Sequence, residues 1–227
     1  AEFEIVKNDY LKENGGIIFP NPNAPTGVLM EKGAVRDILL ANPDSVVIVD
    51  EAYIDFAPDG SSVLSLLPEF DNLLVVQTFS KSRSLAGMRI GFAIGSAKLI
   101  RYLNDCKYSF NSYTMDSVTI QLGRVAMEDQ AYFKECVGKI IDTREWTKQE
   151  LKRLGFVFGD SKTNFIFAKH PNLDAAEVFQ ELREEGIFVR YFPKERIKDY
   201  LRITIGRREE METLIASLEK KVQAKSC

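Results

Sequence analysis

The chain has 227 residues, 45% hydrophobic and 28% charged, ordinary usage for a globular protein of one large or two small domains. Its formal net charge of -3 gives no reason to expect nucleic acid or an anionic membrane as partner, and no apolar run reaches the length of a transmembrane helix. Three scattered cysteines (Cys106, Cys136, Cys227) and one histidine, His170, exclude a disulfide framework, histidine triads and multi-histidine metal sites, so no metal is expected.

The N-terminus shows no basic-then-apolar leader, and with so few cysteines the sequence reads as cytoplasmic. Ala1 to Glu13 is a polar lead-in with Tyr10 and Leu11 as anchors. Gly16 to Pro20 reads as a short buried strand ending in Asn21-Pro22-Asn23-Ala24-Pro25-Thr26-Gly27, a sharply shaped turn. Glu31 to Ala41 places Val35, Ile38 and Leu39 on one helical face. Ser45 to Val49 is the clearest buried strand and runs straight into Asp50-Glu51-Ala52-Tyr53. Asp55 to Ser62 reads as a loop, Ser62 to Leu67 as a short helix, and Asn72 to Val76 as the next strand. A polar loop from Gln77 to Arg89 follows, then a strand over Ile90 to Gly95. Short apolar strands without alternation predict a mostly parallel sheet covered on both faces.

Ser96 begins a helix to about Lys107; Tyr108 to Thr114 is looser, and Met115 to Met127 is helical again. Asp129 is the expected N-cap of a long helix ending near Leu154, with Gly155 as its stop. The domain boundary is placed at that helix's start, giving a large unit over 1–128 and a small α+β unit over 129–227. In the small unit, strands are expected at Phe156 to Phe158, Asn164 to Ala168, Ile187 to Arg190 and Tyr200 to Ile205. Helices are expected at Asp174 to Glu185 and Arg207 to Val222, with Gln223 to Cys227 frayed. The fold class is α/β, a mostly parallel helix-covered sheet plus a small C-terminal α+β domain.

Lys81 leaves a strand end and enters a loop holding Arg83, Gly87 and Arg89. Ligands of open α/β sheets sit beyond such strand ends. Two readings stand for this lysine: a solvated loop lysine, or a desolvated amine that forms a Schiff base. Two other strand ends bear on the choice, the Asn21 to Gly27 turn and Asp50 with Tyr53. Taken singly, each residue also has a plain structural role: Asp50 as a turn cap, Arg89 in a surface ion pair, Tyr53 as a half-buried aromatic.

In this order and spacing the three loops resemble the fold-type I pyridoxal-phosphate (PLP) enzymes of the aspartate aminotransferase superfamily, most nearly the histidinol-phosphate aminotransferases. The likeness runs from Pro22-Asn23-Ala24-Pro25-Thr26-Gly27 to Leu201-Arg202-Ile203-Thr204-Ile205-Gly206. It implies PLP as cofactor, with Lys81 as the Schiff-base and proton-transfer residue and Asp50 paired to the ring nitrogen. Tyr53 corresponds to the residue that hydrogen-bonds the ring's 3-oxygen, and Thr78, Ser80 and Arg89 to the phosphate-binding positions. Arg202 corresponds to the arginine that grips the substrate carboxylate, Arg190 to a second arginine near the substrate, and Asn164 to a supporting residue. The resemblance further implies small amino-acid and keto-acid substrates, a homodimer, and amino transfer between histidinol phosphate/imidazole acetol phosphate and glutamate/2-oxoglutarate. Rival readings are another aminotransferase or a threonine-phosphate decarboxylase of the same subgroup, and a non-catalytic fragment acting only by association. A nucleotide-binding domain is poorly supported, since neither Gly-rich phosphate motif occurs.

Two departures from the family pattern stand out. The asparagine usual before Pro-Thr-Gly is Ala24 here, so either Asn23 substitutes for it or Tyr53 contacts the 3-oxygen unaided. Family members also carry, ahead of the position of Ala1, an arm, further sheet and a phosphate-binding turn at a helix N-terminus. The chain is therefore expected to be the C-terminal portion of an aminotransferase that binds PLP poorly and has little activity alone.

Overall fold

The computed structural model describes residue 3 and residues 5–226. Four short apolar segments build the first sheet: β1 (Ile17–Pro20), β2 (Val47–Asp50), β3 (Leu73–Thr78) and β4 (Gly91–Gly95). They lie in the order β1-β2-β3-β4, the first two pairings parallel and the third antiparallel. The register aligns Ile17, Val47 and Leu73, then Phe19, Val49 and Val75, on one face. Helix α1 (Lys32–Ala41) closes that face with Val35, Ile38 and Leu39, joined by Val63 and Leu66 of a 3-10 turn.

The opposite face is less covered than the strand pattern predicts. Ile18 is 72% exposed, and of the helices after β4, α2 (Ala97–Phe110) buries only Leu99 and α3 (Ser117–Glu128) only Thr119 and Gly123. Helix α2 also continues to Phe110, through part of the stretch expected to be loose. The lead-in forms a 3-10 turn over Lys7–Leu11, anchored where Tyr10 meets Phe19 edge-on at 5.2 Å.

Asp129 caps α4 (Gln130–Arg153) by accepting the Tyr132 N–H. At the far end Gly155 (φ +86°) takes the left-handed conformation and Phe156 N–H returns to Leu151 O at 2.9 Å, a Schellman closure. The second sheet comprises β5 (Val157–Phe158), β6 (Phe165–Lys169), β7 (Arg190–Tyr191) and β8 (Leu201–Thr204), all antiparallel in the order β5-β6-β8-β7. Helices α4, α5 (Ala175–Glu184) and α6 (Arg208–Ser226) cover one face, their Leu151, Leu182, Leu214 and Leu218 joining Ile166 of β6 and Ile203 of β8 in one core. β7 is shorter than the expected Ile187 to Arg190, because Ile187 N–H closes the end of α5 on Leu182 O at 2.8 Å. α6 runs past Val222 into the stretch expected to fray; there Lys225 pairs with Glu177 of α5, one turn after Lys221 pairs with Glu181 and Glu185. Cys227 and residues Ala1, Glu2 and Glu4 of the lead-in lie outside the described residues.

β6 is buried on both faces, which explains its unbroken apolar run. Ile166 and Ala168 enter the helical core; Phe165 and Phe167 face the first unit, where Phe165 meets Tyr53 and Phe167 meets Phe3. A second junction forms where Lys162 N–H bonds Gly27 O at 2.9 Å. Gly27 has φ +77°, and a methyl group there would overlap Ser161 Oγ. A third is Arg144, 3% exposed, whose Nη1 donates to Phe56 O (2.8 Å) and Thr163 O (2.9 Å) while Nε donates to Glu145 (2.9 Å). Among the described residues no helix is long and apolar enough to cross a membrane, and no His/Cys/Asp/Glu group is arranged to hold a metal.

Gly27→Ala combines left-handed backbone strain with overlap at a packed contact. It should lower unfolding stability by about 2 kcal/mol or more, read from the urea midpoint at constant m-value. An unchanged midpoint would show that Ser161 gives way freely.

Candidate active site

β2 and β3 end side by side, so the residues leaving them meet beyond the sheet. Asp50 closes β2, and its Oδ1 accepts the Ala52 N–H at 3.0 Å, so the turn-capping role is present. That bond turns the chain so that Tyr53 comes under the loop after β3. Lys81 Nζ lies 5.2 Å from the Tyr53 ring centroid. Lys81 is half-buried, and among the described residues its ammonium has no hydrogen-bond or ion-pair partner. The Tyr53 ring meets Phe165 edge-on at 5.2 Å and 88°. The Arg202 guanidinium lies 5.2 Å from that Phe165 ring. Lys81, Tyr53, Phe165 and Arg202 therefore form a continuous path from one sheet to the other.

Arg202 Nε is buried without a hydrogen-bond partner among the described residues. An orphaned guanidinium N–H is costly and fits a site for an anionic acceptor. Arg190 stands directly across the β7–β8 ladder from Arg202, with Phe192 beside both guanidinium groups. Like charges set opposite each other in a sheet repel, which an anion between them would relieve.

On the loop, Thr78 Oγ1 lies 2.9 Å from Ser80 Oγ and accepts the Ser80 N–H at 3.1 Å, so two hydroxyls share one corner. Arg89 holds a left-handed backbone (φ +57°), and its Nη1 donates to Ala86 O at 2.7 Å. Arg83 turns away, its guanidinium 4.0 Å from the Phe133 ring centroid and bonded to Ala126 O. Asn23 spends its amide on Thr26 Oγ1 (2.7 Å) within its own turn. Asn21, almost fully buried, holds that turn through two bonds to the Met30 backbone. Asn164 accepts the Ile205 N–H on its carbonyl, at the entrance to β6. A cavity of about 770 Å³ lies elsewhere at the junction, walled by Phe3, Val28, Met30, Phe158, Phe167 and Tyr200, and none of the predicted site residues lines it.

Sequence reasoning passed over the side chains that support these residues. Glu51 is 1% exposed, and its carboxylate accepts Ser62 Oγ (2.7 Å), Val63 N–H (2.7 Å) and Gln77 Nε2 (2.9 Å). Period-two alternation from Val47 and Val49 puts Glu51 on the core face, the one signal that could have found it. Burial pushes its carboxyl above the ordinary 4.5, against the opposing pull of those three hydrogen bonds. Asp55 accepts from the Ser82 hydroxyl, a pair that local patterning does not signal.

Comparison with known proteins bears on the family and the fold. The aminotransferase class I and II family matches residues 2–218. The histidinol-phosphate aminotransferase of Lactococcus lactis subsp. cremoris (strain SK11) is 52% identical over 224 residues, which is 99% of this chain and 62% of that protein. Its counterpart in Clostridium botulinum (strain Okra / Type B1) is 49% identical over 219 residues, 96% of this chain and 61% of that protein. The crystal structure of histidinol-phosphate aminotransferase from Sinorhizobium meliloti in complex with pyridoxal-5'-phosphate aligns with a TM-score of 0.81 at 25% identity. The match covers 92% of this chain and 58% of that one. The chain spans about 62% of the length of the curated relatives it matches.

Because Glu51 has a raised native pKa, its contribution to stability is full below 4.5 and is lost as pH climbs through the native value. Wild type should therefore lose stability relative to Glu51→Gln as pH rises above 4.5, with a slope of up to about 1.4 kcal/mol per pH unit. Urea unfolding across that range measures it; parallel curves would mean that Glu51 titrates normally.

Proposed function

The chain belongs to the class I and II aminotransferases, and from that premise we propose that it serves PLP-dependent transamination in histidine biosynthesis. Histidinol phosphate and imidazole acetol phosphate would exchange the amino group with glutamate and 2-oxoglutarate. About 50% identity to histidinol-phosphate aminotransferases over nearly the whole chain supports this substrate pair. The observation that carries the reading is the path from the unpartnered Lys81 amine across Tyr53 and Phe165 to the orphaned Arg202 Nε.

The residues present fit the cofactor: an amine free to react, a strand-end carboxylate, and a hydroxyl corner. When bound, PLP supplies an aldehyde that takes up the amino group and a ring that draws electrons from the substrate Cα. Asp50 would keep the ring nitrogen protonated, and Tyr53 would hydrogen-bond the 3-oxygen. Asn23 stands by as a second donor if its amide leaves Thr26. Thr78, Ser80 and Arg89 hold the phosphate. Lys81 would hold the cofactor by its amine and would serve as the group that takes and returns the proton at the substrate Cα. Arg202 grips the substrate carboxylate, Arg190 takes the phosphorylated end, and Asn164 supports the strand between them. In this reading residues 1–128 carry the cofactor and residues 129–227 the substrate contacts, in a cytoplasmic homodimer.

The purified protein mixed with PLP, reduced with borohydride and mapped by peptide mass should carry the cofactor on Lys81. Lys81→Ala should lose that adduct while retaining some reversible cofactor binding. An adduct on another lysine, or none, overturns the assignment. Arg202→Lys should weaken substrate binding about tenfold, read as the apparent Kd from the cofactor absorbance, because an ammonium cannot make two parallel bonds to a carboxylate. An unchanged Kd removes Arg202 from that role.

A further inference from the structure

We propose that Asp55 is a positioning residue for Lys81, acting through the hydroxyl of Ser82. The inference rests on Lys81 being the cofactor-bearing lysine. Of the three carboxylates in the segment Asp50–Phe56, Glu51 and Asp55 stand on either side of Tyr53 and reach the flanks of the Lys81 loop. On the near flank Glu51 takes the side chain of Gln77, the residue before Thr78. On the far flank Asp55 takes the hydroxyl of Ser82, the residue after Lys81, at a position only 3% exposed. Between them Tyr53 presents its ring to Lys81 Nζ. One short segment thus supplies the surface beside the amine and the restraints on both sides of it.

The loop needs such a restraint. Ser84 (φ +55°) and Arg89 (φ +57°) both hold left-handed backbone, which side-chain-bearing residues adopt only at a cost. Within the loop that strain is opposed by backbone bonds, Ser84 N–H to Lys81 O (3.2 Å) and Leu85 N–H to Phe79 O (3.1 Å) among them, and by the Thr78–Ser80 and Arg89–Ala86 contacts at its two ends, neither of which adjoins Lys81 on its C-terminal side. A hydroxyl-to-carboxylate bond is stronger than a neutral pair, and this one ends on the residue adjoining Lys81. Losing it would let the loop relax and move the amine off the Tyr53 face.

Amide hydrogen exchange over residues 79–85 of the ligand-free protein tests the restraint without any cofactor. Exchange should rise about tenfold in both Asp55→Ala and Ser82→Ala. The double variant should exchange no faster than either single one, since both remove the same bond. Asp55→Asn keeps an acceptor oxygen and should return exchange towards wild type. In the PLP-loaded protein, the share of borohydride-fixed cofactor on Lys81, against all other lysines, should fall in Asp55→Ala and Ser82→Ala and recover in Asp55→Asn. A general loss of stability would not restore that selectivity in the asparagine variant. Wild-type exchange in both single variants, additive effects in the double, or unchanged selectivity overturns the proposal. If the wild-type protein forms no Lys81 adduct, the functional reading and the role of Asp55 fall together, while the exchange result reports on the loop alone.

Discussion

The arrangement depends on one buried cation. Arg144 sits in the middle of the long helix α4, where a guanidinium pays a desolvation penalty of several kcal/mol unless its N–H groups find acceptors. It finds them in two segments that are distant in sequence, the carbonyl of Phe56 and the carbonyl of Thr163. Phe56 ends the turn that presents Tyr53, and Thr163 lies two residues before Phe165. The edge-on contact of Tyr53 with Phe165 is therefore set by a side chain that touches neither ring.

From that anchor the site is assembled by a division of labour along one short segment. Asp50 and Glu51 point to opposite sides of the strand end they share, one to the loop rim and one to the core. The rim carboxylate is half-buried; the core carboxylate is enclosed by three donors and drawn towards its protonated form. Adjacent residues of the same chemistry thus acquire different characters from strand pleating alone. The same principle works on β6, where Phe165 and Phe167 face the first unit while Ile166 and Ala168 fill the helical core.

Local chemistry made much of this legible. The strands of the first sheet, the Asp129 cap, the Gly155 stop, and the placing of Asp50, Thr78 and Lys81 at strand ends all follow from patterns within a few residues. What escaped depends on partners far along the chain. Arg144, between Thr143 and Glu145, has the composition of a solvated helix face, and its burial is decided by a carbonyl 88 residues away. Ser82 reads as an ordinary loop serine until the turn at Asp55 folds back on it. His170, the single histidine, has its Nε2 3.1 Å from Leu154 O while its Nδ1 accepts the Asn172 N–H, bracing the end of α4. An apolar strand records only that a face is suited to burial, and Ile18 of β1 remains open.

The contact between Gly27 and Ser161 has a mechanical meaning. It leaves no slack, since the turn after β1 and the segment before β6 meet there backbone to backbone, with Lys162 N–H on Gly27 O. With the Arg144 link and the Phe165–Tyr53 contact, the two units are joined at three separate places, so a displacement at one of them has to be accommodated at the other two.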